Sequence, residues 1–268
     1  MKSSSETVVR SSGSDRVLVI MAKAPRPGAV KTRLTASLSP TAVTDFYRCL
    51  LDDTLSLARS LKLTGVEVAI MCPETDVNEL VQLAGTQLAN NEASVVAQKG
   101  EGLAAGLTSV FAHFALDHQK PDHQDPDHQD PDHQDPDHQR GDRQRDAHQR
   151  RIIAFNSDSP HLPRSVLEDA FETLAVNDVV VGPTHDGGYY LVGAKASHPT
   201  LFAGDGMGTN SALERLLSRA QALELSVGFA DTFYDIDVVD DLTRLAAELR
   251  LAPSRAPRTA RWLKEWER

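Results

Sequence analysis

We expect the basic side chains Lys23, Lys31 and Arg33 to project from the stretch Met21-Ala-Lys-Ala-Pro-Arg-Pro-Gly-Ala-Val-Lys-Thr-Arg-Leu34. Its two prolines and its glycine keep the stretch out of a helix, and it directly follows the apolar run Arg16–Ile20, which predicts a buried first strand. A basic loop at the carboxyl end of the first strand of an α/β sheet is a common place for a phosphorylated ligand. A solvated basic loop is the alternative that the position leaves open.

This loop is not a Walker A motif. That motif places a glycine directly before its lysine, whereas Val30 precedes Lys31 and the nearest glycine is Gly28. A P-loop ATPase is therefore disfavoured. Side chains, more than a nest of backbone amides, would contact any bound phosphate.

An acidic residue, Asp158, follows another apolar run. It lies in Asn156-Ser-Asp-Ser-Pro160, directly after the predicted strand Arg151–Phe155. A carboxylate at the carboxyl end of a central strand is well placed to hold a divalent cation. The alternative is that Asp158 caps the helix that starts near Pro163, but the spacing is too long for a cap.

A second acidic residue, Asp186, precedes the glycine pair Gly187 and Gly188. Glycines allow a backbone to approach a ligand closely. Taken alone, however, an Asp-Gly pair is most simply explained as a tight turn.

A third acidic site is the stretch from Asp235 to Leu242. Asp235 and Asp237 alternate in an extended segment, so their side chains point the same way. Asp237 could be a helix N-cap, a second metal ligand or both, while the acidic residues after it open a helix, where negative charge is favourable.

Gln98, at the end of the predicted third strand, could read a nucleobase edge, although a lone Gln is usually a surface residue.

The elements that must position these side chains alternate between strand and helix. This alternation predicts an α/β fold with a mainly parallel sheet covered on both faces. The predicted strands are Val17–Met21, Val66–Met71, Ser94–Ala97, Arg151–Phe155, Asp178–Val181, Tyr189–Gly193 and Ser226–Phe229. A helix is predicted after Ser39-Pro40, with Phe46, Leu50, Leu57 and Leu61 on one face, and further helices near 76–89, 102–116, 163–175, 209–221 and 238–250.

Composition sets outer limits on the protein. The chain has 268 residues and a formal net charge of −10, which disfavours a general nucleic-acid binder. The two cysteines, Cys49 and Cys72, are expected to be reduced and buried, as in a cytoplasmic protein. The sequence contains no apolar run of membrane-spanning length. We expect residues 1–15 to be a disordered segment and residues 16–250 to form one domain.

One segment interrupts the pattern. Residues 117–150 carry five copies of Asp-His-Gln at a five-residue period, with recurring proline and almost no apolar side chains. Five residues of extended chain span about 15 Å, so neighbouring histidines cannot share one metal ion without a bend. A low-complexity insertion in a surface loop is therefore favoured over a metal-binding tract.

The basic C-terminal segment 251–268 places Trp262 and Trp266 on one helical face, which favours packing against the domain.

Four segments together resemble a known family: residues 21–34, 156–160, 182–193 and 235–242. They look like the bacterial GT-A-type glycosyltransferase-like family, also called radical-SAM/selenodomain-associated transferases. Order and spacing match over about residues 16–250, apart from the repeat insertion. That family is in turn similar to 2-phospholactate guanylyltransferase, the molybdenum-cofactor guanylyltransferase and CMP-sugar synthetases.

The resemblance implies a three-layer nucleotide-diphospho-sugar transferase fold and a role for each candidate residue. Lys23, Lys31 and Arg33 would contact donor phosphates, and Lys31, Asp158 and Asp186 would act in catalysis. Asp158 and Asp237 would hold Mg²⁺ or Mn²⁺. Gln98 would lie near the base, and Asp186, Gly187 and Gly188 would border the sugar or acceptor.

The implied partners are a nucleotide donor and a small-molecule acceptor. The family usually has an arginine in the segment that corresponds to Gly100-Glu-Gly-Leu-Ala-Ala-Gly106, which has none here. The segment is closer to the guanylyltransferase pattern. Glycosyl transfer from a nucleotide sugar is the favoured expectation, with nucleotidyl transfer and a non-catalytic nucleotide- or metal-binding module as alternatives.

Overall fold

Strands and helices alternate along the chain in the computed structural model, which describes residues 14–87, 93–116, 150–204 and 210–268. Apart from residues 14, 15 and 150, the predicted disordered segment 1–15 and the repeat insertion 117–150 lie outside these ranges. The strands are β1 (Arg16–Met21), β2 (Glu67–Cys72), β3 (Ser94–Ala97), β4 (Arg151–Asn156), β5 (Val179–Pro183), β6 (Tyr189–Ala194) and β7 (Val227–Phe229). The helices are α1 (Pro40–Lys62), α2 (Val77–Gln87), α3 (Gly102–Leu116), α4 (Arg164–Val176), α5 (Ala212–Ala222), α6 (Val239–Leu251) and α7 (Pro257–Trp266).

Within the described ranges, the strands form one seven-stranded sheet in the order β3-β2-β1-β4-β6-β5-β7. β6 runs antiparallel to both of its neighbours, and the other pairs are parallel. The prediction of a mainly parallel α/β sheet is therefore confirmed. Because the strands other than β6 point the same way, the segments that follow β1, β2, β3, β4 and β5 all emerge at one edge of the sheet.

Apolar side chains on both faces of the sheet are buried, which makes a three-layer structure. Along β1, Leu18 and Ile20 belong to the core shared with α1, α2 and α4, while Val17 and Val19 belong to the core shared with α3 and α5. Successive residues of a strand point to opposite faces. Continuous apolar strands such as β1 are thus explained by helices on both sides.

Helix α1 begins where the sequence indicates. The Ser39 side chain caps it by accepting a hydrogen bond from the backbone N–H of Ala42 at 3.2 Å. The apolar face predicted for α1 is divided between two cores: Phe46 and Leu50 pack with α6 and α7, whereas Leu61 packs against the sheet. The reason is that α6 and α7 cover the side of α1 that faces away from the sheet.

The C-terminal helix α7 packs against α1. Trp262 contacts Phe46 with 4.7 Å between ring centroids, and Trp262 stacks on Trp266. The buried carboxylate of Asp53 on α1 accepts hydrogen bonds from the backbone N–H and the hydroxyl of Thr259, at 2.8 and 2.9 Å. A buried charge that receives several hydrogen bonds anchors the start of α7.

None of the helices in the described part of the chain is long and apolar enough to cross a membrane.

Candidate functional site

A cavity of about 900 Å³ opens at the sheet edge where the parallel strands end. It is formed by the segments that follow β1, β2, β3 and β4, together with the segment before α6. The candidate residues that line it are Lys23, Lys31, Arg33, Gln98, Asp158 and Asp237. Clefts at the carboxyl ends of the strands are the usual ligand sites of open α/β sheets.

Lys31 is turned into the protein. Its side chain is only 7% exposed and forms an ion pair with Asp158, and its Nζ lies 3.2 Å from Oδ1 of Asp237. The expectation that Lys31 projects from the loop is therefore wrong. The carboxylates hold the ammonium inward. Burial alone would lower the pKa of Lys31, but the negative charges of Asp158 and Asp237 more than compensate and raise it well above its ordinary value.

Two further basic residues of the loop line the cavity and are more open. Arg33 is 64% exposed on its side chain and donates to Oδ2 of Asp237 at 2.9 Å. Lys23 is exposed and lines the same cavity. The loop thus presents one buried cation and two accessible ones to the cavity, while its fourth basic side chain, Arg26, pairs with Asp76 and Glu79.

Asp235 joins the same group of charges, although we did not select it as a site residue. Burial and the neighbouring Asp158 raise the pKa of its carboxyl to about 7, against the opposing effect of Lys31. Its alternation with Asp237 was a signal that could have identified it, because both side chains point the same way from an extended segment.

A buried tyrosine, Tyr47 on α1, connects the loops that carry Lys23 and Asp158. Its hydroxyl accepts a hydrogen bond from the backbone N–H of Lys23 at 3.2 Å and lies 2.9 Å from Oγ of Ser157. The Thr54 hydroxyl donates to the carbonyl of Ser157 at 3.1 Å. Nothing in the sequence around Tyr47 marks it, because the residue is part of an ordinary apolar helix face.

The backbone around Asp237 is fixed by a later residue. Oδ2 of Asp241 accepts hydrogen bonds from the backbone N–H groups of Asp237 and Val238, both at 2.8 Å. Val238 is the N-cap position of α6, so the side chain of Asp237 is left to pair with Lys31 and Arg33. Asp158 is likewise outside the N-cap of α4, which is Pro163.

The segment from Asp186 to Gly188 forms a tight turn between β5 and β6. Oδ1 of Asp186 accepts from the Thr184 hydroxyl at 2.6 Å and from the backbone N–H of Gly188 at 3.0 Å. Gly187 has a φ of +88°, and a Cβ there would overlap the carbonyl of Asn210. Turn geometry and packing within the chain explain both glycines. A role for this turn at the sugar or acceptor stays a prediction.

Gln98 lies at the end of β3, but its amide already has partners. Nε2 donates to the carbonyl of Gly100 at 2.9 Å, and a Cβ on Gly106 would lie 2.8 Å from Oε1. The side chain therefore shapes the loop that follows β3, in which Gly100 and Gly102 have positive φ angles. Reading of a base edge by Gln98 stays a prediction.

The donor set suits a hard divalent cation. Asp158 and Asp237 place carboxylate oxygens around the Lys31 ammonium. A metal ion shared by the two carboxylates would take the position of that ammonium. Among the described residues, no group of three or more His, Cys, Asp and Glu side chains is arranged to hold a metal. Mg²⁺ is commonly held by one or two carboxylates together with substrate phosphates, so two carboxylates in a cavity with free volume fit it.

A family model described as "Uncharacterized protein conserved in bacteria (DUF2064)" matches residues 56–209. A search of curated proteins found no significant match. Among solved structures, a protein from Desulfovibrio desulfuricans G20, provisionally described as a nucleotide-diphospho-sugar transferase, is 24% identical. The similarity covers 94% of this chain and 95% of that one, with a TM-score of 0.72. This likeness shows the fold, and the GT-A-type architecture is confirmed.

Two further structures are more distant. The 4-diphosphocytidyl-2C-methyl-D-erythritol synthase from Anaerococcus prevotii DSM 20548 is 10% identical, covers 88% of this chain and 97% of its own, and has a TM-score of 0.49. Rv0371c from Mycobacterium tuberculosis H37Rv, solved in complex with manganese, is 16% identical, covers 87% and 98%, and has a TM-score of 0.43. Likenesses at this level carry no argument about function.

Proposed function

Because the chain belongs to the DUF2064 family and has a GT-A-type fold, we propose that it is a metal-dependent transferase that uses a nucleotide donor. The observation that carries the proposal is the meeting of Lys31, Arg33, Asp158 and Asp237 in one cavity at the carboxyl ends of the strands. Two cationic side chains and two carboxylates in one place can hold both a phosphate chain and the divalent cation that accompanies it.

The distribution of charge along the cavity suggests how a donor lies in it. The basic residues of the cavity follow β1 and Asp158 follows β4, whereas the charged residues that line the other end, Glu74 and Glu101, are acidic. The other end is formed by Pro73 to Thr75 and by the loop Gly100–Leu103. Phosphates would lie against Lys31 and Arg33, and the base would extend toward the glycine-containing loop beside Gln98. The turn at Asp186 would border the transferred group or the acceptor.

Catalysis in such a site would depend on position and charge. Mg²⁺ or Mn²⁺, held by Asp158 and Asp237, would supply neutralisation of the donor phosphates. Lys31 and Arg33 would stabilise negative charge that develops on the leaving group. Tyr47 and Asp241 would keep the two carboxylates at a fixed separation, because Tyr47 holds the side chain of Ser157, next to Asp158, and Asp241 holds the backbone of Asp237. Preorganised charges of this kind need little rearrangement during the reaction.

Glycosyl transfer from a nucleotide sugar is the reaction we favour, on the resemblance to GT-A-type glycosyltransferases. The acceptor would attack the sugar carbon and a nucleoside diphosphate would leave. Nucleotidyl transfer is the second candidate, and the loop Gly100–Gly106 favours it because that loop lacks the family's arginine. In that reaction an acceptor phosphate would attack the α-phosphorus and pyrophosphate would leave.

A donor screen tests the proposal and separates its two forms. The protein is incubated with Mg²⁺ or Mn²⁺ and with nucleotide sugars or nucleoside triphosphates, in the presence of pooled small acceptors. Release of nucleoside diphosphate from nucleotide sugars supports glycosyl transfer. Activity with triphosphates only, with release of pyrophosphate, supports nucleotidyl transfer. Binding of a nucleotide without turnover across the screen would instead identify a binding module.

A further inference from the structure

The ammonium of Lys31 occupies the position between the two carboxylates that would hold a divalent cation. It pairs with Asp158 and Asp237, and Asp235 lies close enough to affect its pKa. Arg33 takes the second oxygen of Asp237. In this state both proposed metal ligands are already neutralised by side chains of the chain itself.

The backbone at Lys31 adds a second observation. Lys31 has φ 45° and ψ 43°, the left-handed conformation, which is uncommon for residues other than glycine, asparagine and aspartate. Such a conformation persists only where the surroundings hold it. The ion pairs with Asp158 and Asp237 are contacts that can do so, since they draw the side chain into the cavity wall.

We propose that Lys31 excludes the free divalent ion from Asp158 and Asp237, and that its ammonium moves to the donor phosphates when metal and donor bind together. Lys31 would thus determine that the site accepts a metal–phosphate complex rather than the metal alone. The inference rests on the proposed function, because a phosphate is the partner to which the ammonium would move.

Electrostatics gives the reason. A divalent ion and an ammonium that compete for the same two carboxylates repel each other strongly at contact distance in a partly buried site. Displacing Lys31 without offering it a new anion would leave a buried, unpaired charge, which is costly. Donor phosphates remove that cost, because they provide the ammonium with oxygen acceptors at the same place.

The test measures binding of Mn²⁺ alone, without nucleotide, by electron paramagnetic resonance of the free ion. Wild type is compared with Lys31→Met, which removes the competing charge but keeps an unbranched side chain. The matched control is Lys23→Met, which removes one positive charge from the same cavity but no contact with Asp158 or Asp237. We expect Lys31→Met to bind Mn²⁺ roughly tenfold or more tightly than wild type, and Lys23→Met to change the affinity much less.

A second variant and a second readout guard against a folding defect. Lys31→Asn also removes the charge, and asparagine tolerates the left-handed backbone. Mn²⁺ should raise the thermal unfolding midpoint of both Lys31 variants more than that of wild type. Adding Asp158→Asn to Lys31→Met should abolish the gain in Mn²⁺ affinity, which locates the gain at this site.

The outcomes separate this inference from the proposed function. If the donor screen finds turnover but the Lys31 variants bind Mn²⁺ no more tightly than wild type, the proposed competition between Lys31 and the metal ion is wrong, and the assignment as a transferase stands. If the variants gain Mn²⁺ affinity but the screen finds no nucleotide used, competition by Lys31 stands and the assignment as a transferase is wrong.

Discussion

The Lys31 ammonium and the Asp158 carboxylate form an ion pair across the loops that follow β1 and β4, with 7% and 22% of the two side chains exposed. The two strands are parallel neighbours, with Met21 opposite Asn156. Because the strands end together, the loops that follow them meet. The pair is thus a direct consequence of the sheet order, and it brings the basic loop and the acidic segment into one site.

Replacing Asp158 with asparagine should abolish metal-dependent turnover while the fold survives. The change keeps the shape of the side chain but removes the charge that would hold the cation, and we expect a loss of about 100-fold or more in kcat. The measurement is turnover of the donor found by the screen, with circular dichroism to check folding. Asp169→Asn, an exposed carboxylate on α4, is the control and should retain activity. Equal activity in both variants would remove Asp158 from the mechanism.

Removing the hydroxyl of Tyr47 should lower activity and Mn²⁺ affinity more than it lowers the stability of the fold. Tyr47→Phe loses the hydrogen bonds to Ser157 and Lys23, which costs about 1 kcal/mol of stability. We expect kcat and Mn²⁺ affinity in the presence of donor to fall several-fold, because the loop before Asp158 loses its support. Tyr190→Phe is the matched control: it removes the hydrogen bond from a buried hydroxyl to the carbonyl of Asp231. If both variants lower kcat equally, Tyr47 has only a structural role.

Removing the Asp53 carboxylate should undock the C-terminal helix. Asp53→Ala leaves the Thr259 hydroxyl and backbone N–H without their buried acceptor, which should cost about 2–3 kcal/mol. Both tryptophans of the chain, Trp262 and Trp266, lie on α7, so their fluorescence during urea unfolding reports on this helix directly.

The control for that experiment is the neighbouring Asp52→Ala. Burial raises the pKa of the Asp52 carboxyl, and its Oδ1 lacks a hydrogen-bond partner in the described structure. Its removal should therefore change the free energy of unfolding far less. A loss as large as that of Asp53→Ala would mean that charge near Arg258, rather than the hydrogen bonds to Thr259, holds the helix.

Acid should destabilise the protein in part through His161. This residue is 2% exposed and packs against Tyr234, and neither ring nitrogen has a hydrogen-bond partner in the described structure. Burial, with the positive charges of Arg244 and Arg255, lowers the pKa of His161 to about 4. A histidine whose pKa is lowered by folding contributes stability that is complete above its unfolded pKa and is lost as pH falls toward the folded value.

The effect of His161 is isolated by comparison with His161→Phe, which keeps an aromatic ring but cannot be protonated. Urea midpoints of the two proteins should be similar at pH 7.5. At pH 5 wild type should have lost more stability than the variant. Parallel pH curves would show that His161 is not the group that titrates.

Most of the fold could be predicted from the sequence, because its apolar runs match the buried strands closely. Arg151–Phe155 was predicted as a strand and β4 ends one residue later. The sequence also predicts Lys31 and Asp158 each after the carboxyl end of a strand, and parallel neighbouring strands end at the same edge of the sheet. What local sequence cannot show is that Lys31 turns inward, since its partner Asp237 lies 206 residues away along the chain. Tyr47 was missed for the same reason.

In the proposed site, Asp158 and Asp237 hold a divalent cation on donor phosphates beside Lys31. A crystal structure with Mn²⁺ and the nucleoside diphosphate or triphosphate that the screen identifies tests it most directly, with the metal located by its anomalous scattering. We expect an anomalous peak between the carboxylates of Asp158 and Asp237, with phosphate oxygens against the Lys31 ammonium. A peak bound elsewhere, or phosphates bound in the cavity while Lys31 still pairs with both carboxylates, would contradict it.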